Sequence, residues 1–335
     1  MRKVARLSND DRADLFRNTA DRMQLHDSIV EKDFWGCYML EYLFHRSSWK
    51  NALAFNGGTS LSKAFHLINR FSEDIDLVLD WRMLGYRTYE PWANRSNTKQ
   101  TIFNKEATIR TEMFLADVLC PTMQSEICRE LGREADIYID GIEKQTVRFN
   151  YPHVCVQTAI SQVIRLEFGA LAAWNPIIIT EIESYASTMY PAVFERKATS
   201  IVTVTPERTF WEKATILHHE AHRPTHLNLP SRYSRHYYDL YRMSTTPVKD
   251  TSFSNLALLV KVVNFKMRFY PRAWASYETA IPKTLKLIPP NYRIPSLRAD
   301  YESMRDMLFK EIPSFDCIME GLSILEMEIH TLSCT

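Results

Sequence analysis

Hydrophobic residues change their spacing several times along this chain, and each change marks an element. The apolar run Ala52-Leu53-Ala54-Phe55 ends at Asn56-Gly57-Gly58 and reads as a buried strand entering a tight turn. Thr59 or Ser60 then caps a helix whose apolar stripe is Leu61, Ala64, Phe65 and Ile68, with its end expected near Asn69-Arg70. Period two follows. In Asp74-Ile75-Asp76-Leu77-Val78-Leu79 the two aspartates point to one face of a strand, and Ile75, Leu77 and Leu79 to the other.

Around this stretch the pattern predicts helices over residues 1 to 47, where Phe34 and Trp35 are expected to pack on the sheet, and a long loop over 81 to 104. A helical segment over 105 to 132 is expected to break at Pro121. Ala135–Ile139 and Gln145–Phe149 flank Asp140-Gly141 and predict a hairpin. Val163 to Phe168 alternates, with Val163, Arg165 and Glu167 on one face, and short strands are expected at Ile177–Glu183 and Ser200–Val204. Thr205-Pro206-Glu207 then opens a helix, with Pro in the first position and an acid in the first turn. Residues 252 to 335 are helical, with breaks at Pro271, Pro282 and Pro289-Pro290. At 335 residues two domains are the expectation, residues 1–204 mixed and 205–335 helical.

Composition narrows the class. With 45% hydrophobic and 24% charged residues this is ordinary globular material, without an apolar run of membrane-spanning length or a signal-peptide pattern, so a cytoplasmic protein is expected. The six cysteines, at 37, 120, 128, 155, 317 and 334, include no CxxC pair, which argues against a zinc ribbon or a disulfide framework. The net charge of +1 hides an asymmetry: residues 201 to 300 hold 15 Lys and Arg against 7 Asp and Glu, a net of +8 that leaves −7 elsewhere. Nucleic acid suits such a basic half, and so does an acidic partner protein.

The candidate chemistry gathers at the first stretch. Gly57 and Gly58 let backbone amides approach a ligand, and a helix start favours phosphate; Lys63, one turn in, adds positive charge. Asp74 and Asp76 supply hard oxygen ligands suited to magnesium with substrate phosphate. Glu167 on an otherwise apolar strand needs a partner, a metal or Arg165 beside it. His218-His219-Glu220-Ala221-His222 is not a zincin motif, since the Glu follows the second histidine. Arg232, Arg235 and Asp239 fall at i, i+3 and i+7 of one expected helix, where they could grip a triphosphate or form a surface salt-bridge ladder. Lys261, Lys266, Arg268 and Arg272, interleaved with Phe265, Phe269, Tyr270 and Trp274, suit an RNA end by phosphate contact and stacking, although such aromatics are more often core.

Gly57-Gly58-Thr59, Lys63 and Asp74-Ile75-Asp76 resemble the signature of nucleotidyltransferases with the DNA polymerase β type of palm. The strings GGTSLSK and RFSEDIDL, with EKDFW, TFWEKATIL and the Arg-rich helix through Asp239, resemble more narrowly the AbiEii/AbiGii toxin family, which includes the MenT-like toxins. The resemblance implies an α+β fold, a palm-like mixed sheet with helices followed by an α-helical C-terminal domain. It implies Asp74, Asp76 and Glu167 as holders of Mg2+, the family often having lysine where this chain has Arg165. Gly57, Gly58, Thr59, Lys63 and Lys213 would hold nucleotide phosphates, with Arg232 and Arg235 as further contacts and Asp239 orienting a lysine or nucleotide group; Ser72, two before Asp74 on the same expected strand face, could reach a phosphate as well, although a strand-start serine is the simpler account. On pattern alone Lys213 is equally a solvent-exposed lysine. The implied activity is transfer of a nucleoside monophosphate from an NTP to RNA, with the 3' end of tRNA as the expected acceptor, by a toxin countered by an antitoxin protein. Transfer to a protein hydroxyl and noncatalytic nucleotide binding are the alternatives.

Overall fold

Seven strands form one mixed sheet: β1 (Leu53–Asn56), β2 (Asp74–Leu79), β3 (Asp136–Ile139), β4 (Thr146–Asn150), β5 (Val163–Gly169), β6 (Ile177–Glu183) and β7 (Ala198–Val204). Their order is β3-β4-β5-β2-β1-β7-β6. β2 runs antiparallel to β1 and parallel to β5, and β3, β4 and β5 continue as an antiparallel ribbon. The structure, a computed structural model, describes residues 1–155, 161–170 and 175–333. It divides into two units, residues 1–64 with 73–203 and residues 65–72 with 204–335. The fold is α+β.

In the first unit the period-two reading of β2 holds: Ile75, Leu77 and Leu79 are buried while Asp74 and Asp76 stay partly exposed. The helices are α1 (Arg2–Ala5), α2 (Asn9–Met23), α3 (Asp27–Glu41), α4 (Gly57–Lys63), α5 (Asn97–Phe114), α6 (Cys120–Leu131) and α7 (Tyr185–Met189). On α3, Phe34 and Trp35 are fully buried, and Trp35 meets Phe149 of β4 edge to face at 5.7 Å between centroids. Each such ring contributes about 2–3 kcal/mol of apolar burial. The polar members of the same segment also bind across the unit: the Glu31 carboxylate accepts from the Val154 and Cys155 amides.

Several element boundaries differ from the sequence expectation. α4 opens at Gly57 with Asn56 at its cap position, ahead of the Thr59 or Ser60 expected there, because Thr59 and Ser60 already sit in its first turn. α4 stops at Lys63 instead of continuing to Arg70, and His66 follows in a left-handed conformation with φ 54°. Residues 65–72 belong to the second unit, where Phe71 N donates to Met307 O (2.7 Å) and Phe309 N to Asn69 O (3.0 Å). α5 begins at Asn97, inside the stretch expected to be loop, because Ser96 caps it by accepting from Lys99 N. Pro121 does not break the following helix; the turn over Leu115–Leu119 widens to a π-helix and Pro121 enters α6 in its first turn, where its missing N–H costs nothing.

The second unit is helical: α8 (Pro206–Ala221), α9 (Ser234–Ser244), α10 (Val248–Phe253), α11 (Leu256–Phe269), α12 (Ile294–Ser303) and α13 (Phe315–His330). α8 packs on α9, α10 and α11, and α9 also on α12 and α13. Pro206 opens α8 as expected, with Thr205 at the cap position but without a side-chain capping bond. The three histidines near its end are used internally: His218 Nε2 lies 3.0 Å from Ser276 O, His219 Nδ1 3.1 Å from Tyr277 Oη, and His222 Nδ1 2.8 Å from His218 O.

Candidate active site

The turn after β1 fixes the first part of the site. Gly57 has φ +77°, a conformation that only glycine adopts without strain, and a Cβ there would overlap the Asp76 carboxylate. The reason is register: Asn56 pairs with Asp76 across β1 and β2, so the residue after Asn56 turns directly over that acid. Thr59, in the first turn of α4, donates its hydroxyl to the Asp74 carbonyl oxygen, and Ser60 donates to Gly57 O at 2.8 Å. The turn, the start of α4 and the start of β2 are thereby pinned to one another, and Gly58 is buried among them.

Parallel pairing of β2 with β5 brings the third acid. Asp76 lies opposite Glu167 and Asp74 opposite Arg165, so three carboxylates and one guanidinium share a face. Arg165 Nε is 3.0 Å from Asp74 Oδ1, and its Nη2 donates to Glu167 Oε1 at 3.0 Å and to Glu143 of the β3–β4 loop. Burial and the Asp74 charge push the Glu167 carboxyl above its ordinary range, with Arg165 opposing. A cavity of about 470 Å³ borders the acids, lined among others by Asn56, Asp76, Glu167, Glu143, Thr108 and Glu112.

Among the described residues no three His, Cys, Asp or Glu side chains close into a metal cage. The donor set nevertheless fits a hard divalent cation. Magnesium is held through one or two carboxylates with substrate phosphates and water, not an all-protein cage, and half-exposed acids beside a cavity leave room for those ligands.

Lys63 is directed elsewhere. Its ammonium closes an ion pair with the buried Asp33 of α3, donates to Glu183 O at 3.2 Å, and stands 3.7 Å from the centroid of the Tyr185 ring. Burial disfavours the charge, yet Asp33 holds Lys63 above its ordinary range, so it is an ammonium locked between α3, β6 and α7. The phosphate contact expected of Lys63 thus meets a side chain already committed. Ser72 is also misplaced by the sequence reading: β2 begins at Asp74, so Ser72 precedes the strand.

The second unit holds a different cluster. Lys213 on α8 donates to Asp239 Oδ2 of α9 at 2.7 Å and lies 3.1 Å from His236 Nδ1. Arg70 reaches the same carboxylate with both arms of its fork, Nε to Oδ1 at 2.7 Å and Nη2 to Oδ2 at 2.8 Å. Asp239 is fully buried. Burial alone would raise its carboxyl, but Arg70 and then Lys213 hold it well below the ordinary range. Burial lowers Lys213, opposed by Asp239 and aided by Arg70 and Arg235. His236 is pushed well below its ordinary value by burial, Lys213 and Arg235, so its neutral Nδ1 accepts from the lysine. Lys213 is therefore not a surface lysine. The expected stripe of Arg232, Arg235 and Asp239 is shorter than its spacing suggested, because α9 starts at Ser234. Arg232 precedes it with φ 58°, its amide donating to Asp300 Oδ1 at 2.6 Å.

Sequence reasoning missed Arg70, His236, Asp33 and Glu143. Arg70 carried a signal, a lone cation between the apolar Ile68 and Phe71 inside the string RFSEDIDL.

Residues 40–321 match the family model described as nucleotidyl transferase AbiEii toxin, type IV TA system. The chain belongs to this family. The AbiEii family is one of nucleotidyltransferase toxins from type IV toxin-antitoxin systems, so the protein is a nucleotidyltransferase, with a nucleoside triphosphate as substrate and an antitoxin as partner. The AbiEii fold recurs in MenT4, a nucleotidyltransferase toxin of Mycobacterium tuberculosis H37Rv, with a TM-score of 0.55 and 14% identity, over 98% of this chain and 91% of that one. No curated protein matches the chain. No helix among the described residues is long and apolar enough to cross a membrane.

Proposed function

We propose that this toxin transfers a nucleoside monophosphate from an NTP to the 3' hydroxyl of an RNA, tRNA being the favoured acceptor, with Mg2+ at Asp74, Asp76 and Glu167. The observation that carries the reading is the register that sets Glu167 opposite Asp76 on the aspartate face of β2. When bound, the cation would offset charge developing on the triphosphate and favour the ionised acceptor oxygen. The chain's own residues do the rest. Gly57 and Gly58 bring backbone amides to the phosphates, and Thr59 keeps Asp74 in register with that turn. A carboxylate of the acid set accepts the hydroxyl proton as the acceptor oxygen bonds to the α-phosphorus and pyrophosphate departs.

Lys213 is assigned to the nucleotide phosphates, with Asp239, Arg70 and His236 fixing its ammonium and Arg235 adding positive charge. Ser72 and Arg232 are left as outer phosphate contacts. Lys63 is not in this set, since its charge is spent on Asp33. The basic surplus of residues 201 to 300 is compatible with an RNA acceptor.

The test is incubation of purified toxin with labelled NTPs, Mg2+ and total tRNA. Label should enter RNA, and Asp74→Ala with Asp76→Ala should lower it by roughly 10³-fold or more. Label ending on protein instead would select the protein-modifying alternative, and an undiminished signal in the double variant would refute the site. Co-expression with the cognate antitoxin should suppress the modification.

A further inference from the structure

We propose that Arg165 is the resident counter-ion of the acid site and trades places with the divalent cation, passing its guanidinium to Glu143 as the cation takes Asp74 and Glu167. This rests on the metal site proposed above and adds what the chain does before the cation arrives.

The sheet register creates the need. Parallel pairing places Asp76 beside Glu167, and like charges directly across neighbouring strands destabilise a sheet unless something offsets them. Arg165, opposite Asp74 and two residues before Glu167 on the same face, supplies that offset, so the site never stands as bare carboxylates. Its three contacts are unequal. Nη2 makes hydrogen bonds to Glu167 and Glu143, whereas Nε lies 3.0 Å from Asp74 Oδ1 without hydrogen-bond geometry. The Asp74 contact is therefore the loosest, an attraction of charge without direction, and is the first to yield to a competing cation.

The second seat is built in advance. Glu143 sits on the β3–β4 loop, which Asp140 shapes by accepting from the amides of Ile142 (2.8 Å) and Glu143 (3.0 Å), while Thr146 N donates to Glu143 O at 2.8 Å. Asp140 is itself paired with Arg148. The Glu143 side chain is 58% exposed against 28% for Asp74, so a guanidinium resting there keeps more of its hydration. Glu143 borders the same cavity as Asp76 and Glu167, so the exchange crosses open space and repacks no core. In either arrangement the acids keep a positive partner, first Arg165 and then the cation.

The two ends of the exchange respond in opposite directions. Mn2+ titrated into nucleotide-free toxin and followed by electron paramagnetic resonance reports the cation alone. Arg165→Gln removes the competitor, and Mn2+ affinity should rise about tenfold, the factor carried by 1.4 kcal/mol. Glu143→Gln removes the second seat, and affinity should fall by several-fold. Arg165→Lys, a milder change in case Arg165→Gln does not fold, keeps the charge but loses the fork, and should give a smaller rise. A counter-ion that merely scaffolds the strand predicts instead that Arg165→Gln leaves affinity unchanged or weakens it, and that Glu143→Gln does nothing; either result overturns the exchange. Wild-type toxin that transfers labelled nucleotide while Mn2+ affinity ignores Arg165 and Glu143 sinks this proposal and leaves the activity standing. Loss of label transfer in wild type sinks the activity itself.

Discussion

On the sheet, the carboxylates of Asp74, Glu167 and Glu143 share the guanidinium of Arg165; in the helical unit, the carboxylate of Asp239 is shared by Arg70 and Lys213. The first group has a surplus of negative charge and is half exposed, with Asp74 28% and Glu167 36% open to solvent. The second has a surplus of positive charge and is sealed, with Asp239 at 0% and Lys213 at 8%. Each surplus names what it lacks. Open acids can exchange water and a protein cation for a metal and phosphate oxygens, because their environment still solvates charge. A buried, hydrogen-bonded cation set cannot reorganise cheaply, and so presents a fixed positive potential to an anion. The acid set is thus the adaptable of the two clusters, and the Asp239 set the rigid one.

The comparison breaks most sharply at Gly57. Gly57→Ala puts a Cβ where the Asp76 carboxylate lies and forces a left-handed alanine, so Asp76 must move. Turnover should fall by about 10²–10³-fold, the scale set by losing one preorganised group, with about 1–3 kcal/mol lost from stability. Labelled-NTP transfer alongside a thermal melt checks both. A variant that melts like wild type and keeps its rate would show that the turn does not aim the acid.

Asp239→Asn tests the rigid cluster and should act next most strongly. Removing one partner of a buried pair leaves Arg70 and Lys213 without their carboxylate, at a cost of about 3–5 kcal/mol. The sign with pH follows from the depressed Asp239 carboxyl. A group held low when folded stabilises above its unfolded value, about 3.9, and that stability is lost as pH falls through the folded value. The gap between wild type and Asp239→Asn in urea melts should therefore be full at pH 6 and narrow below about pH 4. Asp239 also raises Lys213, so in the variant Lys213 loses its proton at lower pH and the alkaline limb of the pH–rate profile moves down. A gap that persists unchanged into acid would assign the loss to packing and not to charge.

How far the sequence carried depends on how local each interaction is. The period-two acids of β2, the hairpin of β3 and β4, and the Thr-Pro-Glu opening of α8 were legible because each is decided within a few residues. The Glu167–Asp76 juxtaposition was reached through a family resemblance, since parallel pairing of two strands so far apart in the chain leaves no local mark. Arg70 read as a helix end because its partner, Asp239, is 169 residues away. The start of α5 was hidden for another reason. Its Ile102, Ile109 and Met113 are exposed while Gln100 and Thr111 are buried, so the apolar positions do not trace the packed face.

Lys63 decides whether the Gly-Gly turn works with or without a lysine, and the expected effect on rate is the smallest. Asp33→Leu strands a buried ammonium and Lys63→Met strands a buried carboxylate, so each alone should destabilise by about 3–5 kcal/mol. With both changed, neither charge is left unpaired, and most of that loss should return, giving a coupling of at least 1 kcal/mol in a double-mutant cycle of urea midpoints. The rate of the folded double variant then separates the two roles. If Lys63 ties α3 to the sheet and nothing more, transfer stays within a few-fold of wild type. If its ammonium leaves Asp33 to meet a phosphate during the reaction, the double variant is stable yet loses a charge from the transition state, and its rate falls by 10²-fold or more. The first outcome would make the anion pocket at the Gly-Gly turn a matter of backbone amides; the second would add Lys63 to it and make the Asp33 pair its resting state.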